Sequence, residues 1–397
     1  MRIMFIQGGS RWKIDINGQL YTDSNFNEAV WDRYRAYCDE LCVILRAEEK
    51  VYSVKEASVK YNKFDLTKSS AISLPDVYRP TKNAFKIKIR VEIDDVIKKE
   101  IEKADRVVIR SLGNIYTNTA MKYAKKFNKP YLVEVTGFAW ESLWYHSLRG
   151  KVVAWFKENQ YRRLMKQVNW ALYVTNEALQ LRYPAKGEML GCSDVEIFDT
   201  NQKILEKRCD FISQKKEKIV FGTAAFLDVG WKGQRNVISA ISELKKRGIN
   251  NIEYQLIGGG TGENLKLFAR QLGVEDKLVI KGSIPHEKVY EWMDGIDIYI
   301  QPSYMEGLCR SIVEAMSRGC PVIASNVGGN YELVDQECLF RKGNVKQLCN
   351  KILWLLDANN QRAKAERNYA LSKKYNSIEL NKIRNDFYKR FINETQV

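Results

Sequence analysis

Two glutamates, Glu306 and Glu314, stand in the stretch from Tyr299 to Met316 at a spacing that could hold one ligand at both ends. Ile298, Tyr299 and Ile300 close an apolar run, and Pro302 and Ser303 break it. A helical pattern begins near Leu308 and stops at Gly319. Glu306 is therefore expected in the loop and Glu314 within the helix, about 10 Å away at about 1.5 Å of rise per helical residue. That separation is too large for two carboxylates sharing a proton. It suits the gripping of an extended ligand. Between the two lies a helix N-terminus, whose free N–H groups and dipole favour an anion. A polyhydroxy group at one end, a diphosphate in the middle and a ribose at the other describe a nucleotide sugar.

The same segment, with Gly319-Cys320-Pro321 and Val327-Gly328-Gly329-Asn330-Tyr331-Glu332 after it, resembles the retaining glycosyltransferases of GT-B fold. The nearest likeness is to the family 4 (group 1) enzymes of bacterial polysaccharide biosynthesis, whose E-x7-E pattern Glu306 and Glu314 match. The likeness is specific over 218–340 and mostly topological over 1–198. It implies an α/β protein of two Rossmann-like domains facing a cleft, with a C-terminal helix returning to the first domain. It implies metal-independent transfer of a hexose from a UDP- or GDP-sugar to a glycan or polyprenyl-linked acceptor, in capsule or exopolysaccharide assembly, with no cofactor. Glu306 would bind the donor sugar hydroxyls and Glu314 the ribose, with Gly307 and Leu308 beside the donor.

Departure of the leaving group concentrates negative charge on the diphosphate, so fixed cations are needed. Lys232, before Gly233 and a helix, is the first candidate. Many members of the family carry an arginine just after the strand glycine Gly222, where this chain has Thr223; Arg310 is the candidate for a second cation. Gly8 and Gly9 follow the first apolar run and read as a short phosphate-approach loop. Gly258 and Gly259 read as a backbone turn near the nucleoside, since the stretch lacks the Lys-Ser/Thr of a phosphate-binding loop. Ser283 and Ile284 are expected near the base, and His286 reads as an ordinary first-turn residue. His146 follows a strand end at Thr136 and Gly137. It is either a ligand of the donor sugar or a histidine packed on tryptophans, and Glu141 is a further cleft candidate. No metal site is expected: Asp15-Ile16-Asn17 and Asp297 are poor matches to the Asp-x-Asp of metal-dependent enzymes.

These residues need a frame. The length of 397 residues favours two domains, and 45% hydrophobic content suffices for two cores. Over 218–340 short apolar strands alternate with helical segments: Lys218–Thr223, Tyr254–Gly260, Lys277–Gly282, Ile296–Gln301 and Val322–Ser325. Such alternation predicts a parallel sheet wound on both faces, which binds ligands at the carboxyl ends of its strands. In the first half the expected strands are Arg2–Gln7, Leu41–Leu45, Arg106–Arg110, Tyr131–Val135 and Ala171–Val174. The division is then 1–198 for an acceptor-side domain, 199–217 for a polar linker, 218–374 for the donor domain and 375–397 for the returning helix.

The eight cysteines are scattered, with no C-x-x-C and no leader-like start, which reads as a reducing, cytoplasmic setting. The net charge of +16 has no nucleic-acid-binding signature beside it, so an anionic donor and an anionic membrane surface are the expected partners. The basic, aromatic helix expected from Lys151 to Val168 is either an ordinary amphipathic helix or one lying on such a surface. Two rivals stand beside the transferase: a nucleotide-sugar epimerase of the same fold, and a non-catalytic basic glycan- or membrane-binding protein with a degenerate site.

Overall fold

The computed structural model describes residues 1–23, 26–145, 147–199 and 201–395. Two parallel sheets organise it. Among the described residues the first has nine strands: β1 Arg2–Asp15, β2 Leu20–Thr22, β3 Glu40–Tyr52, β4 Asn62–Lys63, β5 Ser70–Leu74, β6 Arg106–Arg110, β7 Tyr131–Val135, β8 Trp170–Tyr173 and β9 Glu188–Gly191. Its parallel order is β5-β3-β1-β6-β7-β8-β9, with β2 antiparallel along the far end of β1 and β4 antiparallel to β2. The second sheet is parallel throughout, in the order β12-β11-β10-β13-β14-β15. Its strands are β10 Ile219–Ala224, β11 Ile252–Ile257, β12 Leu278–Gly282, β13 Ile298–Gln301, β14 Val322–Ser325 and β15 Leu339–Phe340.

Helices cover both faces of each sheet, so the central strands are apolar runs, not alternating ones. In β6, Val107, Val108 and Ile109 are fully buried, as are Ile298, Tyr299 and Ile300 in β13. Each sheet thus presents only its strand ends to solvent, and the carboxyl ends of the two face each other across a cleft.

The run 199–217 is not an extended tether. It holds the helix Lys203–Ser213, whose Ile204, Arg208 and Ile212 form one buried face. The Arg208 guanidinium donates to the carbonyls of Met293, Ile296 and Arg318 at 2.6, 2.7 and 3.1 Å. A cation there meets carbonyls at helix ends, where the dipole favours it. The segment is therefore bolted to the second domain.

The last helix, Ser377–Glu394, packs on the first domain. Phe387 and Phe391 meet Trp170 edge-on, Tyr388 stacks on Tyr37, and Arg384 donates to the Ser193 carbonyl at 2.7 Å. The domains also touch directly. The Glu332 carboxylate of the second accepts the backbone N–H groups of Asn176, Glu177 and Ala178 of the first, at 2.7, 3.2 and 2.8 Å. Gly307 backs on the Thr136 carbonyl, which a Cβ at that position would approach to 2.4 Å. Among the described residues no helix is long and apolar enough to cross a membrane.

Candidate functional site

The second domain supplies the better-defined wall. After β10 the chain makes a single 3-10 turn, Gly230–Lys232, and enters the helix Gln234–Lys246 through Gly233. Gly233 has φ +73°, and a Cβ there would lie 2.1 Å from the Pro302 carbonyl oxygen. Only glycine lets the Lys232 turn press so closely on the loop that follows β13. The Tyr304 N–H donates to the Trp231 carbonyl at 2.7 Å and zips the two loops together. Lys232 Nζ then reaches Glu306 Oε1 at 2.8 Å, and Gln301 Nε2 donates to the same oxygen at 3.0 Å. Gln301 is fully buried, and its own Oε1 accepts from Tyr299 Oη at 2.8 Å, so it holds Glu306 from a fixed base. Burial works to lower the Lys232 pKa, but Glu306 outweighs it and the net shift is upward, so the ammonium stays charged.

The helix Arg310–Ser317 begins at the cleft. Its N-cap, Cys309, brings no side-chain oxygen to cap the first turn, its thiol lying 3.3 Å from Ser311 Oγ. First-turn N–H groups of this kind attract anions. Cys309, Arg310 and Ser311 all line the cleft, and Arg310 is close enough to Lys232 to oppose its protonation electrostatically. Glu314 lies in the second turn, with Oε1 at 3.5 Å from His286 Nε2. That contact raises the His286 pKa above its ordinary value.

Ala224 at the end of β10, Ala225 and Phe226 after it, Gly258 after β11, and Ser283 and Ile284 after β12 complete this wall. The opposite wall comes from the first domain: Gln7 in β1, Arg110 ending β6, Glu134 in β7, Thr136, and Asp194 with Glu196 beyond β9. Arg110 bridges Glu134 and Asp194. Burial alone would raise the Asp194 carboxyl, but Arg110 and Arg384 outweigh it and hold it at about 2. Arg33 pairs with Glu196. The space between the walls is about 920 Å³, ample for a ligand of nucleotide-sugar size.

Of the expected site residues, the cleft thus brings together Lys232, Gly258, Ser283, Ile284, Glu306, Leu308, Arg310 and Glu314. Others sit elsewhere. Gly8 and Gly9 are not in a loop after the first strand but inside β1, where pairing with β3 skips from Ile6 to Arg11. The bulge leaves room for Asn114, the N-cap of the helix Ile115–Lys126, whose side-chain oxygen would be 2.2 Å from a Cβ on Gly8. Gln7 lines the cleft in their place.

Gly222 and Thr223 lie within β10, which runs on to Ala224. Gly222 makes room for Trp292 and Ile296, and the buried Thr223 hydroxyl bonds Tyr254 Oη and the Ile300 carbonyl. Gly259 backs on the Phe226 ring, and Gly307 on the first domain. Glu141 is paired with Arg182 at 2.8 Å and lines no part of the cleft. His146 falls outside the described residues. His286, read from sequence as an ordinary helix residue, lines the cleft against Glu314.

This geometry places a cation, an uncapped helix N-terminus and two carboxylates on one wall of a cleft between two Rossmann-like domains. Residues 205–371 match the family Glycosyl transferases group 1. Protein CapJ of Staphylococcus aureus is 32% identical over 335 residues, covering 84% of this chain and 81% of that one. The chain belongs to the group 1 glycosyltransferases. The putative colanic acid biosynthesis glycosyltransferase WcaL of Escherichia coli is 30% identical over a shorter stretch of 148 residues, 36% of this chain and 33% of that one. The structure of Anabaena HepE in complex with UDP superposes with a TM-score of 0.65 at 16% identity, over 98% of this chain and all of that one. The fold is GT-B.

Proposed function

We propose that the chain transfers a hexose from a UDP- or GDP-sugar to a glycan or lipid-linked acceptor in polysaccharide assembly at the inner face of the cell membrane, with retention and without a divalent ion. The observation that carries this reading is the 2.8 Å pair of Lys232 and Glu306, held at the mouth of the uncapped helix Arg310–Ser317. A diphosphate seated there meets Lys232, the first-turn N–H groups and Arg310. Glu306 faces the sugar and Glu314 the ribose. The HepE complex holds UDP on the same fold, and WcaL is named as a putative colanic acid biosynthesis glycosyltransferase.

As the bond from the anomeric carbon to the phosphate oxygen breaks, charge grows on the diphosphate, and fixed donors aimed at it stabilise the transition state. Inversion would require a general base on the acceptor side. Among the described residues the carboxylates of that wall, Glu134, Asp194 and Glu196, are each committed to an arginine, and Asp194 at about 2 is a very weak base. Retention suits this wall: the acceptor oxygen attacks from the face the leaving group departs, and a diphosphate oxygen takes its proton.

Metal independence is supported by the donor set. Lys232 and Arg310 both line the donor wall, and fixed cations there can take the charge of the departing diphosphate. The test is nucleotide release from a panel of UDP- and GDP-sugars with EDTA present. Release from one donor, with the anomeric configuration kept in the product, is the expected result. Activity that vanishes with chelator and returns with manganese would overturn the leaving-group chemistry.

The two glutamates should separate kinetically. A ribose contact is made equally in ground and transition states, whereas a sugar contact strengthens as positive charge develops on the ring. Glu306→Gln should therefore lower kcat, and Glu314→Gln should chiefly raise KM. Equal effects on both constants in both variants would contradict these roles.

A further inference from the structure

The helix Leu148–Met165 has two apolar faces. The inner one, Gly150, Ala154, Tyr161 and Met165, is buried in the first-domain core. The outer one carries Leu148, Val152, Trp155 and Phe156, spaced to share one stripe, and these are 59–80% exposed. A second segment repeats the pattern: Phe85 and Ile87, before and at the start of the helix Ile87–Lys103, are 77–85% exposed.

The two segments lie on one side of the first sheet. The helices Ile87–Lys103, Ile115–Lys126 and Leu148–Met165 contribute Ile93, Ala120 and Tyr161 to the same core cluster. Ile87–Lys103 packs on Ile115–Lys126, and Tyr161 packs on Gly113 just before the latter. In a parallel α/β layer the helices run opposite to the strands, so their N-terminal halves lie at the carboxyl edge of the sheet. That is the edge at which Arg110 and Glu134 line the cleft. The exposed apolar residues are therefore next to the cleft mouth.

Charge accompanies them. Residues 77–91 contain Arg79, Lys82, Lys86, Lys88 and Arg90, and residues 147–157 contain Arg149, Lys151 and Lys157; neither segment contains an Asp or Glu. Protein-binding surfaces are depleted in lysine at their centres. Large apolar side chains interleaved with lysines and arginines, including an exposed tryptophan, instead match the boundary between acyl chains and anionic headgroups.

We propose that this face rests on an anionic lipid bilayer, with Phe85, Ile87, Val152, Trp155 and Phe156 inserted and the cations over the headgroups. The cleft mouth is then held at the membrane, where a lipid-linked acceptor enters without leaving the bilayer. This names the surface behind the lipid-linked acceptor in the reading above, but it rests on its own geometry.

The test is co-sedimentation of the full chain with vesicles of phosphatidylglycerol and phosphatidylcholine, against phosphatidylcholine alone. Wild type should bind the anionic vesicles, more weakly at high salt as the charges are screened. The pairs Trp155→Ser with Phe156→Ser, and Phe85→Ser with Ile87→Ser, should each weaken binding about tenfold or more. Their melting temperatures and nucleotide release in solution should match wild type. Failure of wild type to bind anionic vesicles, or equal binding by the variants, would overturn the proposal. A dimer that the same variants dissociate, with no vesicle binding, would assign the face to a second copy of the chain. Absence of nucleotide release with vesicle binding intact would count against the donor chemistry and leave this surface standing.

Discussion

Lys232→Ala should lower kcat about a hundredfold or more, the scale for losing one preorganised donor at a site of developing charge. The lysine is held by the turn Gly230–Lys232 and by Gly233 against the Pro302 carbonyl, so it does not reorganise as charge appears. Its pKa is raised, so the effect should not fade at neutral pH. Lys232 also pairs with Glu306, and loss of activity could come from a displaced glutamate instead of an unshielded diphosphate. A double-mutant cycle separates the two. If Lys232 acts on the diphosphate, its removal costs nearly as much in a Glu306→Gln background as in wild type. If it only positions Glu306, removal costs little once Glu306 is gone. Turnover near wild type in Lys232→Ala would remove the residue from the mechanism altogether.

The second domain was the more legible half, for a physical reason. Its buried parallel strands are short apolar runs with glycine or proline close behind, so their ends, and the loops that carry Lys232, Ser283, Ile284 and Glu306, can be placed from local pattern. Strand ends there shift by one to three residues, β11 stopping at Ile257 and β10 running to Ala224, which puts Thr223 in the core and not at the cleft, and the short edge strand β15 has no counterpart in the expected set. The absence of the family's arginine at Thr223 thus coincides with a position that faces inward, bonded to Tyr254 and Ile300.

In the first domain local pattern served less well. A glycine pair after an apolar run looks the same whether the strand ends or bulges, and Gly8 and Gly9 bulge. The run 199–217 looked like a linker because it is polar, although Ile204, Arg208 and Ile212 recur at helical spacing. The acceptor-side wall is built by Gln7, Arg110, Glu134 and Asp194, which come from separate strand ends, and no short window of sequence contains two of them. One signal was there. Glu134 stands between Val133 and Val135 in an expected strand, and a carboxylate flanked by valines in a sheet covered on both faces must have partners.

Those partners make Glu134→Ala the substitution expected to cost most in stability, about 3–5 kcal/mol, the scale for removing one member of a buried ion pair. Glu134 is almost fully buried and accepts from Tyr34 Oη at 2.9 Å, from Tyr388 Oη at 2.7 Å and from the Arg110 guanidinium. The three donors arrive from the helix Glu28–Arg35, the C-terminal helix Ser377–Glu394 and β6. Truncation leaves two phenol hydroxyls without their acceptor and gives Arg110 only Asp194 as an acidic partner. Glu134→Gln keeps an acceptor oxygen and the side-chain volume, so it should cost less than the alanine variant. The measurement is the urea midpoint of each variant, with a second readout on the C-terminal helix, whose Tyr388 loses its anchor. Helix amides of 377–394 should exchange faster with solvent in Glu134→Ala than in wild type, because the contact that ties them to β7 is gone. An alanine variant within about 1 kcal/mol of wild type would mean that water replaces the carboxylate at little cost, and the network would then shape the acceptor wall without holding the last helix to the first domain.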